Sequence, residues 1–358
     1  MELYNISKDK IDANMAKMQK LLDREKNVLV KTTWPGPWRG FNQVECYHDF
    51  EKEFEFYVKN YNMDAEAADE GMDNIPFFRV DFGRVAYLIA IAYGCPVIEV
   101  NGLINAKPMI TGDVNDAYKL EYIPDIENHG FYPEITRRMR LIQERLGDVG
   151  FVVSDTQSPN DVLTEVINSE ICMVAMYDDP EPLHYLSDII TRSIEDICRY
   201  QGTVVNNLLG YGHDYPLPRG IHLSDDNAAF LSPSTYEEFV LPYNSRLALA
   251  FDGVTLHCCM GQKQNIKLMA STPKFQGFDP QVMYNPKEII MDAITDNGFL
   301  RNWTVPEGRD PLDYYKEIID MTDGKCGLMI DAGAPDKDGA LRLGWEVKNY
   351  AAKKGRAQ

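Results

Sequence analysis

The feature that most constrains the fold of this chain is a repeated unit: a short apolar run, a polar turn and an amphipathic helix that opens on proline. We interpret the apolar runs as buried strands: GFVVSD, RGIHLSD, GVTLHCC, KFQGFD, GFLRNW and CGLMIDAG. The helix starts are SPND at Ser158, DPEP at Asp179, SPST at Ser232, NPKE at Asn285 and DPLD at Asp310. In each start, a capping side chain can accept an orphan backbone N–H, and the proline that follows has none to lose.

Strands that alternate with helices predict a parallel sheet with crossover helices, which is either open or closed. An open dinucleotide-binding sheet carries a glycine-rich turn directly after a strand, and no such turn is present. We therefore expect an α/β fold, a (β/α)8 TIM barrel formed by residues 71–358. Residues 1–70 are predicted to form an N-terminal helical extension packed on the barrel, with a helix over 11–24, the apolar run NVLVKT and the loop WPGPWRG.

The composition of the chain excludes some classes of binding partner. Its 36 Lys and Arg against 55 Asp and Glu give a formal net charge of −19 at pH 7, which repels nucleic acid and anionic lipid. No run is long enough to span a bilayer, and the polar N-terminus does not resemble a signal peptide. The seven scattered cysteines are typical of a reducing compartment. We expect a cytoplasmic protein that binds neither nucleic acid nor membrane, and barrels of this kind often form homodimers.

In a (β/α)8 barrel, the chemistry lies at the carboxyl ends of the strands. These ends carry a ring of polar side chains: Asp155, Gln157, Ser224, Asp225, Asp226, His257, Cys259, Asp279, Asn302, Trp303 and Asp331. We interpret Asp225, Asp226 and His257 as candidate catalytic residues, and the others as candidates for binding substrate, cofactor or metal. The alternative interpretation is that the acids only cap helices and solvate loops.

The segment GVTLHCCMG places a histidine and two cysteines at the end of one predicted strand. Because side chains alternate along a strand, His257 and Cys259 share one face and Cys258 lies on the other. A nitrogen and a thiolate on one face can bind a single metal ion. The alternative is that these residues only pack in the core.

Three segments carry a resemblance to a known family: GIHLSDDNAAFLSPSTYEEFVLPYNSRL, LHCCMG and GLMIDAGA. With weaker matches at VDFGRVAYLIAIAYGCPV and SDTQSP, the chain resembles the uroporphyrinogen decarboxylase superfamily over roughly residues 75–345. It is more similar to the cobalamin-dependent methyltransferase branch than to the tetrapyrrole decarboxylases. The resemblance implies the TIM barrel that the strand and helix pattern also predicts.

The resemblance implies a methyltransferase that moves a methyl group between a small methylated substrate, an ether or an amine, and the cobalamin of a separate corrinoid protein. In that branch, zinc is held by His-x-Cys and a distant third thiolate and acts as a Lewis acid. Here His257 and Cys259 match the first two ligands, but Ala334 stands where the third is expected. The third ligand is left open between a carboxylate (Asp331, Asp226 or Asp279) and Cys326. A further alternative is that no metal binds and His257 acts as an acid or a hydrogen-bond donor.

Two other functions remain open. One is a decarboxylase acting on a tetrapyrrole or a smaller acid, although the decarboxylases carry an Arg-rich RQAGR motif where this chain has only Arg39. The other is a non-catalytic barrel that binds a tetrapyrrole. Trp34, Trp38 and Trp303 are candidates for an aromatic pocket or for core anchors. We interpret three other histidines as satisfied or surface groups: His129, His213 and His222.

Overall fold

The structure, a computed structural model, describes residues 2–35 and 42–356. Trp38 and Arg39 lie outside the described residues. The β-strands are β1 Val28–Thr33, β2 Val97–Val100, β3 Leu103–Ala106, β4 Ile221–Ser224, β5 Val254–Cys258, β6 Phe275–Pro280, β7 Phe299–Asn302 and β8 Gly327–Gly333. Strands β2 and β3 form a separate antiparallel hairpin.

From β4 onward, each strand of the parallel sheet is followed by at least one helix, as the repeated pattern predicts. The α-helices are α1 Lys8–Leu22, α2 Gln43–His48, α3 Phe50–Asp69, α4 Leu88–Ala92, α5 Tyr132–Leu146, α6 Pro159–Val166, α7 Ser169–Asp178, α8 Glu181–Val204, α9 Pro233–Phe239, α10 Leu241–Ala250, α11 Ile266–Ala270, α12 Lys287–Ile294, α13 Pro311–Thr322 and α14 Lys337–Lys353. Over the described ranges, none of these helices has both the length and the apolar character needed to cross a membrane.

Six strands form one parallel sheet in the order β1-β8-β7-β6-β5-β4. Two extended segments close this sheet into a barrel. Phe78 bridges Phe151, and Gln157 bridges Ser224 at the end of β4. On the other side, the Asp73 N–H donates to the carbonyl of Val30 in β1. The predicted (β/α)8 TIM barrel is confirmed, with two of its eight strand positions irregular.

The predicted strand GFVVSD is one of these irregular segments, reduced to a single bridging residue at Phe151. Its first residues make backbone hydrogen bonds to the neighbouring segments, but the Ser154 N–H donates to Oε1 of Gln201 and the Asp155 N–H donates to Oδ2 of Asp81. Side-chain oxygens therefore replace the carbonyls of a neighbouring strand. The hydrophobic pattern cannot reveal this substitution, because it reports burial and not the hydrogen-bond partner.

The barrel begins earlier in the chain than predicted. The run NVLVKT forms β1, which pairs with β8 along its whole length, from Val28 beside Leu328 to Thr33 beside Gly333. The structure therefore places the start of the barrel at Val28 and not after residue 70. Of the predicted extension, α1 precedes β1 and packs against the apolar layer at the amino end of the barrel.

The floor of the barrel is apolar. Leu29, Phe299 and Met329, which point inward from β1, β7 and β8, pack with Met18 and Leu21 of α1. Above this layer, the inward side chains of the same strands become polar, so that the hydrophobic floor supports a polar upper half. The site described below lies in that upper half.

Three of the five predicted helix starts are capped as expected. Ser158, Ser232 and Asp310 each accept the backbone N–H three residues along the chain. At the other two sites, the helix begins one residue later, with Pro180 and Pro286 at the capping position. Near Pro286, the Asn285 side chain is otherwise occupied, since its Oδ1 accepts from the Gln262 N–H and its Nδ2 donates to the Gln281 carbonyl.

Candidate active site at the carboxyl end of the barrel

A cavity of about 850 Å³ lies at the carboxyl end of the barrel strands. One part of its wall is aromatic and apolar, formed by Trp34, Phe56, Tyr57, Met63, Phe77 and Trp303. The other part is ionic, formed by Lys31, Asp64, Arg79, Arg84, Asp214, Arg301 and Asp331. His257 and Cys259 lie on the same wall. The volume suits a small molecule with both an apolar and a polar portion.

Strand β5 positions His257 and Cys259 as the two-residue period predicts. Nε2 of His257 lies 2.9 Å from Sγ of Cys259, whereas Cys258 faces away and is fully buried. Asp226, in the turn after β4, joins this pair: its Oδ1 accepts the Cys259 N–H at 2.6 Å and lies 3.8 Å from Nε2 of His257. A nitrogen, a sulfur and a carboxylate oxygen therefore lie within 4.8 Å of one another beside the cavity wall.

Behind His257 lies a buried carboxylate, Asp279 of β6. Its Oδ2 is 3.5 Å from Nδ1 of His257 and 2.6 Å from Nη1 of Arg301. Burial alone would raise the pKa of Asp279, but the charges of Arg301 and His257 outweigh it and hold that pKa well below its usual range. Conversely, burial would lower the pKa of His257, and Asp279 outweighs it, so that the pKa of His257 lies well above its usual range.

Two histidines that were interpreted from the sequence as satisfied or surface groups extend this network. Nδ1 of His222 lies 3.0 Å from Nε2 of His213, and Nε2 of His222 lies 3.7 Å from Oδ2 of Asp279. Both rings are buried, and His213 also lines the cavity. They are therefore part of the site, whereas His129 is exposed and lies near Asp125, as the surface interpretation predicted.

Asp225 does not occupy the catalytic position predicted for it. Its carboxylate is fully buried and accepts hydrogen bonds from Oγ of Ser158, the hydroxyl of Tyr236 and Nδ2 of Asn244. Burial raises the pKa of Asp225, and these three donors partly offset the increase. The side chain ties the end of β4 to the surrounding helices and is not part of the cavity wall.

The remaining predicted residues divide into two groups. Trp303 and Asp331 line the cavity, with the Trp303 ring centroid 5.7 Å from that of His257. The others pack behind the wall and contact protein groups: Asp155, Gln157, Ser224 and Asn302. Among the candidate third ligands, Asp331 is held by Arg301 at 2.6 Å.

Cys326 is also excluded as a ligand. It is buried just before β8, at the amino end of the barrel, where its carbonyl accepts from Arg356. The carboxyl end of β8, which faces the cavity, lies a full strand length away. Of the proposed third ligands, the geometry therefore favours Asp226.

Sequence reasoning missed the cations of the cavity. Arg79, Arg84 and Arg301 all contact Asp214, at 3.1, 3.0 and 3.4 Å. Arg301 directly precedes the predicted site residue Asn302, and the alternation of β7 turns Arg301 inward and Asn302 outward. Because side chains alternate along a strand, assigning each residue of β7 to the inner or the outer face would have identified Arg301 as a cavity residue. Arg79 and Arg84 lie outside regular strands and offered no such signal.

Comparisons with known proteins support the fold. The sequence model of the uroporphyrinogen decarboxylase (URO-D) family matches residues 71–297. Among solved structures, the chain is similar to a methyltransferase from Methanosarcina mazei, with a TM-score of 0.64 and 16% sequence identity over 98% of this chain and 99% of that chain. At this identity, the similarity shows a shared fold. No curated protein matches the chain at a significant level.

Proposed function

The chain belongs to the uroporphyrinogen decarboxylase family, as its motifs predicted, and on that basis we propose that it is a methyltransferase. The proposed reaction moves a methyl group from a small methylated substrate, an ether or an amine, to the cobalamin of a separate corrinoid protein. The substrate binds in the cavity at the carboxyl end of the barrel. The observation that carries the proposal is that His257 and Cys259, which line the cavity, lie within 4.8 Å of the Asp226 carboxylate.

These three residues form a donor set that suits zinc. Zinc in proteins accepts imidazole nitrogen, thiolate sulfur and carboxylate oxygen, and a catalytic zinc site keeps a further position open. The carboxylate of Asp226 takes the role of the third thiolate, whose expected place is held by Ala334. When bound, the ion would supply Lewis-acid polarisation of the heteroatom that carries the methyl group.

The other cavity residues orient the substrate and donate a proton to the leaving group. Trp303 and Trp34 present aromatic faces, which suit the methyl groups of an ether or a methylammonium. A departing alkoxide or amine needs a proton, and we assign Asp64 as its donor in place of the inaccessible Asp225. Asp64 lines the cavity, and burial raises its pKa to about 6 although the charge of Lys31 opposes the shift.

A second candidate function rests on the cations of the cavity. Lys31, Arg79, Arg84 and Arg301 line it, so that the chain does present basic groups of the kind a carboxylated substrate needs. A decarboxylase of a small acid would use them. Asp214 contacts the three arginines, however, and an incoming carboxylate would have to compete with it. We therefore rank this function second.

The test is methylation of free cob(I)alamin by a panel of methyl ethers and methylamines, followed by the change in cobalamin absorbance. We expect methylcobalamin to form with at least one substrate, and the rate to fall by more than a hundredfold in His257→Ala, on the scale of a lost electrophilic group. His129→Ala, an exposed histidine outside the cavity, is the matched control.

Other outcomes would decide between the alternatives. Release of carbon dioxide from a panel of carboxylates, without methyl transfer, would overturn the proposal in favour of the decarboxylase. Tight cobalamin binding without turnover of any substrate would overturn it in favour of a non-catalytic tetrapyrrole-binding barrel.

A further inference from the structure

A second set of donor atoms lies beneath the first and shares His257 with it. The set consists of Nε2 of His222, Nδ1 of His257 and the carboxylate of Asp279, whose donor atoms all lie within 4.8 Å of one another. All three residues are buried. His257 thus faces Cys259 and Asp226 with Nε2 and faces the barrel interior with Nδ1.

The two histidine nitrogens of this inner set lack hydrogen-bond partners within the described ranges. Among the described residues, none satisfies Nε2 of His222, Nδ1 of His257 or Oδ1 of Asp279. A buried polar atom without a partner is costly, and both unpaired nitrogens face Oδ2 of the same carboxylate, so they indicate a group that would bind between them. The Asp279 Oδ2 atom is held by Arg301, which fixes the carboxylate in place.

The spacing of the inner set suits a metal ion. The distances from Oδ2 of Asp279 to the two histidine nitrogens are 3.5 and 3.7 Å, too long for good hydrogen bonds. Ligands about 2.1 Å from a tetrahedral ion lie roughly 3.4 Å apart, so small movements would close this set around an ion. Two imidazoles and one carboxylate are a ligand set that divalent transition metals accept.

We propose that the barrel has an inner binding position for a divalent transition-metal ion, formed by His222, His257 and Asp279. One neutral imidazole binds an ion through one nitrogen, so the inner and outer positions are alternatives for a single ion, with His257 as the shared ligand. The inner position has no thiolate. It therefore retains an ion when Cys259 is lost, oxidised or alkylated.

The experiment is an anaerobic titration of the metal-free protein with Co²⁺, followed by absorbance. Wild type should show the thiolate-to-cobalt absorption of Cys259. Cys259→Ala should still bind Co²⁺ but without that absorption. Adding His222→Gln to Cys259→Ala should weaken binding by on the order of tenfold or more, whereas adding Asp331→Asn should not, although Asp331 contacts the same Arg301.

Alkylation of the wild type provides a second measurement that does not depend on a variant folding. Cys259 is the exposed cysteine of the seven, and the other six are buried, so iodoacetamide should modify it first. The alkylated protein should still bind Co²⁺. Absence of Co²⁺ binding after both alkylation and Cys259→Ala would overturn the proposal, as would binding that His222→Gln leaves unchanged. Because the readout is metal binding, failure of the methyl-transfer assay leaves this test intact.

Discussion

Asp225 and Asp226 are neighbours in the sequence, yet their carboxylates have different surroundings. Asp225 is fully buried among three hydrogen-bond donors, whereas the Asp226 side chain is 41% exposed and reaches the His257 and Cys259 pair. The sequence predicted both as catalytic candidates. At the residue scale, only Asp226 is placed to contact a substrate or a metal ion.

The two acids should therefore respond differently to removal. Asp225→Ala leaves the donors of Ser158, Tyr236 and Asn244 unpaired, and we expect it to lower the free energy of unfolding by about 3 kcal/mol or more. Asp226→Ala should change stability by less than about 1 kcal/mol but reduce the thiolate-to-cobalt absorption, since the ion loses a ligand at the outer position. Denaturant unfolding and Co²⁺ titration of both variants test this. Equal loss of stability in the two would contradict it.

Asp64 gives the protein a defined pH dependence. Burial raises its pKa from 3.8 to about 6, opposed by Lys31 and by the Asn74 amide and reinforced by Asp331. The folded protein therefore holds this proton more tightly than the unfolded chain, and the contribution of Asp64 to stability falls as pH rises between about 4 and about 6. Asp64→Asn should remove this fall, which amounts to roughly 3 kcal/mol.

The measurement is urea unfolding at several pH values across this range. Asp9→Asn, at an exposed position in the first turn of α1, is the matched control and should unfold with the wild-type pH dependence. An Asp64→Asn profile parallel to that of the wild type would show that Asp64 does not titrate in this range.

At the scale of elements, a capping residue followed by proline predicted the helix start correctly where the capping side chain made no hydrogen bond elsewhere in the protein. Ser232 caps α9 through the Thr235 N–H. The segment from Pro233 to Ala250 forms two helices, α9 and α10, with a break at Val240. Pro242 causes this break, because it has no N–H to continue the hydrogen bonds of α9 and its ring disfavours helical backbone just before it.

Ser232 and Ser7 form a matched pair for measuring how much a capping hydrogen bond contributes to the free energy of unfolding. Ser7 occupies the same position before α1, but its side chain makes no capping bond. We expect Ser232→Ala to lower the free energy of unfolding by about 1 kcal/mol and Ser7→Ala to lower it by a few tenths at most. Thermal or urea unfolding of both variants measures the difference, and equal effects would show that the α9 cap carries no stability.

At the scale of the whole molecule, the barrel depends on its first strand. β1 pairs with β8 over six residue pairs, and Asp73 satisfies its other edge. Without β1, the sheet would open and expose the edge of β8, together with the apolar layer around Leu29.

A chain shortened to residues 71–358, the predicted barrel domain, should therefore fail to fold cooperatively. A chain that begins at Ser7 keeps β1 and α1 and serves as the control. Circular dichroism during thermal unfolding distinguishes the two. A single sharp transition for residues 71–358 would show that the barrel closes without β1.

The sequence by itself determined the barrel, the end of the barrel at which the candidate site lies, and the His257 and Cys259 pair. Hydrophobic period, proline-capped helix starts and strand alternation are local properties, and a reader of the sequence can follow them residue by residue. The tertiary structure alone decided three things: that Asp226 and not Cys326 lies beside this pair, that Asp225 points away, and that Asp279 meets His222 and Arg301. Each of these depends on strands far apart in the chain. Their side chains meet only when the sheet closes, and its register sets which of them share a layer.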